Sequence, residues 1–109
     1  MLNYPKRFKG TCWFSYEPIS IDRAIYRSER EIVVEFLSEG WRYTVSLTSS
    51  DGRVFQGEYS SSKGGDTEKG VVTGRVFWDE TGPVLIGSWH EGGKATWFVR
   101  LTEVSDFNN

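Results

Sequence analysis

Ile32-Val33-Val34-Glu35-Phe36-Leu37-Ser38-Glu39-Gly40-Trp41-Arg42-Tyr43-Thr44-Val45-Ser46-Leu47 is the stretch that decides the fold. Apolar residues take every second position on both sides of Glu39-Gly40, the alternation of half-buried β-strands. A two-residue turn at Glu39-Gly40 makes the runs antiparallel and sets Phe36 opposite Tyr43, Val34 opposite Val45 and Ile32 opposite Leu47. These six side chains share one face, and Glu35, Arg42, Thr44 and Ser46 take the reverse.

The pattern extends outward in both directions. Strands are predicted over 8–16, 31–37, 41–48, 53–60, 71–78, 84–90 and 95–103. The segment 19–27 reads two ways. Ile19 and Ile21 alternate as in a strand, whereas Ile21, Ala24 and Ile25 behind Ser20 suit a short capped helix. A three-residue loop, Ser50-Asp51-Gly52, keeps Phe55, Gly57 and Tyr59 on the core face, with Leu47 opposite Phe55 and Tyr43 opposite Tyr59. Trp78 pairs with Pro83 across Asp79-Glu80-Thr81-Gly82. A tight hairpin at Gly92-Gly93 sets Gly87 opposite Phe98 and Ile86 opposite Val99. One face then holds Phe77, Val84, Ile86, Trp97, Val99 and Leu101, and the other holds Val72, Val76, Trp78, Leu85, Trp89 and Phe98. Both faces are apolar, so the second is expected to be covered. Ser60 to Gly70 has no apolar anchor and is predicted to be a mobile loop.

Gly57, Gly74 and Gly87 fall mid-strand on consecutive strands, where glycine marks bends that let a sheet curl. The expected fold is all-β: one antiparallel meander of seven or eight strands spanning 1–109 as a single domain, closed or strongly curved into a small barrel. An open β-roll or sandwich is the alternative. The 109 residues carry a net charge of −2, with 13 basic residues against 15 acidic ones. This balance points away from nucleic acid and anionic membranes. One cysteine, Cys12, leaves no intramolecular disulfide. A soluble, cytoplasmic protein is the expectation.

The meander, its strand number and Arg100 on the last strand resemble the calycin-type small barrels, the lipocalin and avidin-like families. There a G-x-W near the start packs against a late arginine. Gly10-Thr11-Cys12-Trp13 has one residue more than that motif, and Gly87-Ser88-Trp89 has the spacing but lies late in the chain. The resemblance implies a ligand held at the barrel mouth. Arg23-Ala24-Ile25-Tyr26-Arg27 is similar to the arginine pair of PilZ-type barrels, but the D/N-x-S-x-x-G element that should follow is missing from 28–60.

Five Trp, five Tyr and seven Phe supply the chemistry available. Tyr43, Tyr59, Trp78 and Trp89 are the candidate walls of a ligand site, with Arg75, His90 and Arg100 as polar handles. The competing reading is that these aromatics fill the core. His90 and Cys12 are the lone residues of their types, so no metal, haem or other cofactor site and no catalytic residue is assigned. The function expected is non-catalytic binding of a small apolar or aromatic ligand, or of a protein partner. A protein-interaction or inhibitory module and a small-barrel enzyme of isomerase or cyclase type are the alternatives. A homodimer is expected, paired through Trp78, Trp89 and Phe98.

Overall fold

The computed structural model describes residues 4–14, 17–90 and 94–107. Eight strands run in chain order: β1 (Lys6–Trp13), β2 (Pro18–Ser28), β3 (Glu31–Ser38), β4 (Trp41–Thr48), β5 (Val54–Lys63), β6 (Asp66–Trp78), β7 (Pro83–His90) and β8 (Lys94–Val104). Each pairs antiparallel with its neighbour in sequence, and β1 pairs with β8 to close the barrel. Closure leaves no free sheet edge along the barrel wall.

The founding hairpin has the predicted register, Phe36 with Tyr43, Val34 with Val45 and Ile32 with Leu47. Glu39 and Gly40 turn with φ of 53° and 84°, the left-handed pair that a tight β-hairpin requires. Segment 19–27 is strand, and a bulge explains its helical look. Ile21 pairs with Phe36, but Ala24 already pairs with Val34, so β2 carries one residue more than β3 between these pairs. Ile21 and Ala24 therefore both face inward at a spacing of three, which imitates a helix.

Three expectations are corrected. In the β4–β5 hairpin Val45 pairs with Tyr59 and Leu47 with Gly57, a register two residues from the predicted one on the same core face. The reason is a loop built by side chains. Asp51 Oδ1 accepts from the backbone N–H groups of Arg53 at 2.8 Å and Val54 at 3.0 Å, while Ser49 Oγ accepts from Gly52 N–H at 2.9 Å. The predicted loop at Ser60 to Gly70 is a continuation of β5 and β6, with Ser61 paired to Glu68 and Lys63 to Asp66. Gly64 and Gly65, at φ of 56° and 96°, turn the chain there. Lys63 Nζ pins this hairpin by donating to the Glu39 carbonyl at 3.2 Å.

The third correction concerns the last hairpin. His90 pairs with Lys94, so three residues separate the strands, and the slip sets Gly87 opposite Trp97 and Ile86 opposite Phe98. An odd slip exchanges faces. Trp97, Val99 and Leu101 consequently join Leu85 and Trp89 in the interior, and Phe98 lies outside against Trp13, with ring centroids 5.5 Å apart. The predicted turn at Gly92-Gly93 and the predicted strand residue Tyr16 lie outside the described residues.

Inward side chains from all eight strands, Phe8, Cys12, Val34, Phe36, Leu47, Phe55, Val72 and Trp97 among them, form one contiguous buried cluster. Eight strands enclose just enough room for side chains to fill. Gly74 and Gly87 face each other across β6 and β7. A Cβ at Gly87 would run into the Thr73 carbonyl, so only glycine permits this close crossing. Trp97 uses the cleared space, its indole N–H donating to the same Thr73 carbonyl at 3.1 Å.

Candidate functional site

Strand ends decide what each mouth of the barrel offers. One mouth receives the β1–β2, β3–β4, β5–β6 and β7–β8 connections. The inward aromatic residues nearest it are Phe36, Tyr43, Tyr59, Trp89 and Trp97, and Phe14, just beyond β1, folds over them. Phe14 meets Trp89 edge-on at 4.8 Å and lies parallel to Trp97 at 6.1 Å. Tyr59 stacks on Trp89 at 4.4 Å, and Phe36 on Tyr43 at 4.9 Å. Trp89 is 3% exposed. This mouth is shut by its own rings.

The opposite mouth is formed by the start of β1, the β2–β3, β4–β5 and β6–β7 turns, and the last residues of β6. It opens into a cup of about 530 Å³ with Tyr4, Tyr26 and Trp78 as aromatic lining and Lys6, Glu29, Asp51 and Arg53 around the rim. Tyr26 packs edge-on against Phe8 at 5.5 Å and Phe55 at 6.5 Å, and Trp78 tilts over it at 5.4 Å. Trp78, the last residue of β6, remains 51% exposed. An indole at an open mouth, with half of its surface in water, offers apolar area that a ligand can cover.

The Tyr26 side chain is only 2% exposed, and among the described residues its hydroxyl finds no hydrogen-bond partner. An orphaned buried hydroxyl costs about 1–3 kcal/mol and calls for an explanation. Burial, and then the neighbouring Tyr4 phenol, push the Tyr26 phenol up. Burial, and then the Glu29 carboxylate, push Tyr4 up as well. Both phenols therefore stay protonated donors at neutral pH.

The rim is braced. Ser49 N–H donates to the Arg30 carbonyl at 2.9 Å, tying the β4–β5 turn to the β2–β3 turn, and Val76 N–H donates to the Arg53 carbonyl at 2.8 Å. The backbone N–H of Arg53, then that of Val54 and the Ser49 hydroxyl, hold the Asp51 carboxyl at about 2. In the β6–β7 turn, Asp79 is held at about 2 by the Thr81 hydroxyl and N–H and by Arg100, whose guanidinium lies 2.7 Å away. Lys6 Nζ stands 5.7 Å from the Tyr4 ring centroid, a cation–π contact on the cup wall.

The seven candidate residues read from the sequence do not form one site. Tyr43, Tyr59 and Trp89 meet inside the shut mouth. Trp78 stands alone at the open one. Arg75, Arg100 and His90 are exposed, on outward-facing positions of β6, β8 and β7. Nor do Trp78, Trp89 and Phe98 share a face, because the first two point inward at opposite mouths and Phe98 points out. The outer wall still carries apolar surface on β6 and β7, with Phe77 52% and Ile86 42% exposed.

Tyr4, Lys6, Tyr26, Glu29 and Arg53 were not among the residues expected from the sequence. They lie at strand ends, where alternation no longer tells inside from outside, and the β2 bulge hid the inward aim of Tyr26. The available signal was Tyr26 itself, two residues beyond the small inward Ala24. A second concavity of about 440 Å³ lies on the outer wall around Thr44, Ser46, Glu58, Ser60 and Lys69. Tyr59 also borders it but is 1% exposed, its ring turned to the interior, so no half-exposed ring comparable to Trp78 lines it. Cys12 is buried, and burial pushes its thiol up to about 12, which removes it as a nucleophile at neutral pH. Among the described residues no group of His, Cys, Asp and Glu is placed to hold a metal ion. No family model, curated protein or solved structure compared with this chain matches it.

Proposed function

We propose that this barrel is a non-catalytic binding protein that takes a small apolar or aromatic ligand at its open mouth, much as the calycin-type barrels it resembles in strand number hold theirs. The observation that carries the reading is Trp78, half-exposed over an aromatic floor inside a cup of about 530 Å³. A concave, mostly apolar site with a few convergent polar groups is the usual form of a small-molecule site. The shifts around the cup favour binding over catalysis. Tyr4 and Tyr26 move up and Asp51 moves down, away from the near-neutral values that acid–base chemistry uses.

Titration with N-phenyl-1-naphthylamine, a neutral aromatic dye that brightens in apolar surroundings, tests the reading. Saturable binding is expected, with energy transfer from tryptophan, and Trp78→Ala should weaken it at least about tenfold, a loss of roughly 1.4 kcal/mol. Dye binding that is absent, or unchanged in a folded Trp78→Ala variant, would overturn it.

A further inference from the structure

The orphaned hydroxyl says more about the ligand than the aromatic walls do. Resting on the reading above, we propose that the cup is built for a neutral, flat aromatic molecule with a hydrogen-bond acceptor on its leading edge. The Tyr26 hydroxyl donates to that acceptor once the Trp78 ring has swung aside.

Three observations converge on this. First, the floor of the cup is lined by aromatic rings, and among the described residues the Tyr26 hydroxyl is its unpaired polar atom, with the Tyr4 phenol nearby. Phe8 and Phe55 flank the Tyr26 ring. A ligand edge reaching that depth meets aromatic rings and the unpaired Tyr26 donor, which suits an apolar edge that carries an acceptor. A ring carbonyl or ring nitrogen meets that demand, whereas a carboxylate would lose far more hydration than one donor returns.

Second, the rim carries Lys6 and Arg53 against Glu29 and Asp51, two charges of each sign. Asp51 is held ionised by its backbone partners. A net charge on the ligand meets its like as well as its opposite at the entrance. Neither an anion nor a cation is favoured over a neutral molecule.

Third, the Tyr26 oxygen is closed off from solvent, the Trp78 ring is tilted over the Tyr26 ring, and the Tyr4 phenol lies nearby. Trp78 ends its strand, and half of its surface is already in water, so a rotamer change gives up little packing. Its swing opens the hydroxyl and leaves the indole face free to lie along the entering ring. Burying a ring there and satisfying the hydroxyl happen in the same event.

Equilibrium dialysis with three probes of one shape tests this: 2-acetylnaphthalene, with a carbonyl; 2-ethylnaphthalene, without one; and 2-naphthoate, charged. The wild-type protein should bind 2-acetylnaphthalene about tenfold more tightly than 2-ethylnaphthalene, the value of one well-made hydrogen bond, and 2-naphthoate more weakly than the ketone. Tyr26→Phe deletes only the unpaired oxygen and should fold at least as well as the parent. In that variant the ketone and the ethyl compound should bind alike. Equal binding of the two by the wild type, a gap that survives in Tyr26→Phe, or 2-naphthoate matching the ketone would overturn this inference while leaving ligand binding at Trp78 intact. If none of the three binds to protein with a native circular dichroism spectrum, the binding reading itself fails, and this inference with it.

Discussion

The two mouths of the barrel hold the same kinds of side chain in different states. At the shut mouth Trp89 is locked among Phe14, Phe36, Tyr43, Tyr59 and Trp97, and Trp97 is fully buried against Phe14 and Trp89. At the open mouth Trp78 touches Phe8 and Tyr26 and faces water with half of its surface. Composition does not separate them, and neither does strand pairing. Among the described residues, one difference lies beyond the strands. Phe14 folds a ring over the shut mouth, whereas the turns at the open mouth bring charged residues to its rim. An aromatic barrel becomes a stable plug or a receptive cup according to what its connections carry.

The largest expected effect comes from breaking the plug. Trp97→Ala removes a fully buried indole and its hydrogen bond to Thr73, and should cost about 3–5 kcal/mol in chemical denaturation. Trp78→Ala at the open mouth should cost about 1 kcal/mol, because half of that ring is already solvated. Similar losses at both sites would mean that the mouths do not differ as described. Next in size is Gly87→Val, cross-strand from Trp97, where a side chain meets the Thr73 backbone. Destabilisation by about 1–3 kcal/mol is expected. Strand propensity alone predicts the opposite sign, a gain of up to about 1 kcal/mol. A more stable variant would show that the close crossing of β6 and β7 is not needed.

The smallest effect concerns the open rim and its acid response. Asp51 and Asp79 ionise at about 2 in the folded protein against an ordinary 3.8. Their folded values are depressed, so the stability they contribute is fully present above about pH 4 and is lost as the pH falls toward 2. Asp51→Asn with Asp79→Asn should flatten the fall of the thermal midpoint across that window. An unchanged slope would mean that these carboxylates do not brace the turns.

How much of this was legible in the sequence follows from where alternation is clean. The hairpin from Ile32 to Leu47 alternates without interruption and carries its own turn residues, so its register could be read directly. The β4–β5 register was displaced by two because a carboxylate, Asp51, organises a loop longer than a standard turn. The last hairpin was displaced by one, since both candidate faces were apolar and core consistency could not arbitrate. Ser60 to Gly70 pairs through its backbone and needs no apolar anchor to be a strand. The candidate site suffered most. Of the cup's residues Trp78 alone was expected as a site residue, since it continues the inward alternation of Val72, Gly74 and Val76 along β6; the others sit at the start of β1, in the turns or behind the bulge in β2, where a contact is set by the closed barrel and not by local spacing.

The seam between β1 and β8 differs from the other seven in one respect: it alone joins strands remote in sequence. Each of the others closes a short loop, whereas this one must bring together the two ends of the meander, and the entropy of loop closure falls on it. Contacts of such long range lower the rate of folding. Cys12 lies on that seam, paired with Val99 and pointing inward. The chain thus carries a native chemical reporter of its own opening, a thiol shielded while the ring is shut and exposed to a modifying reagent each time the first strand peels from the last.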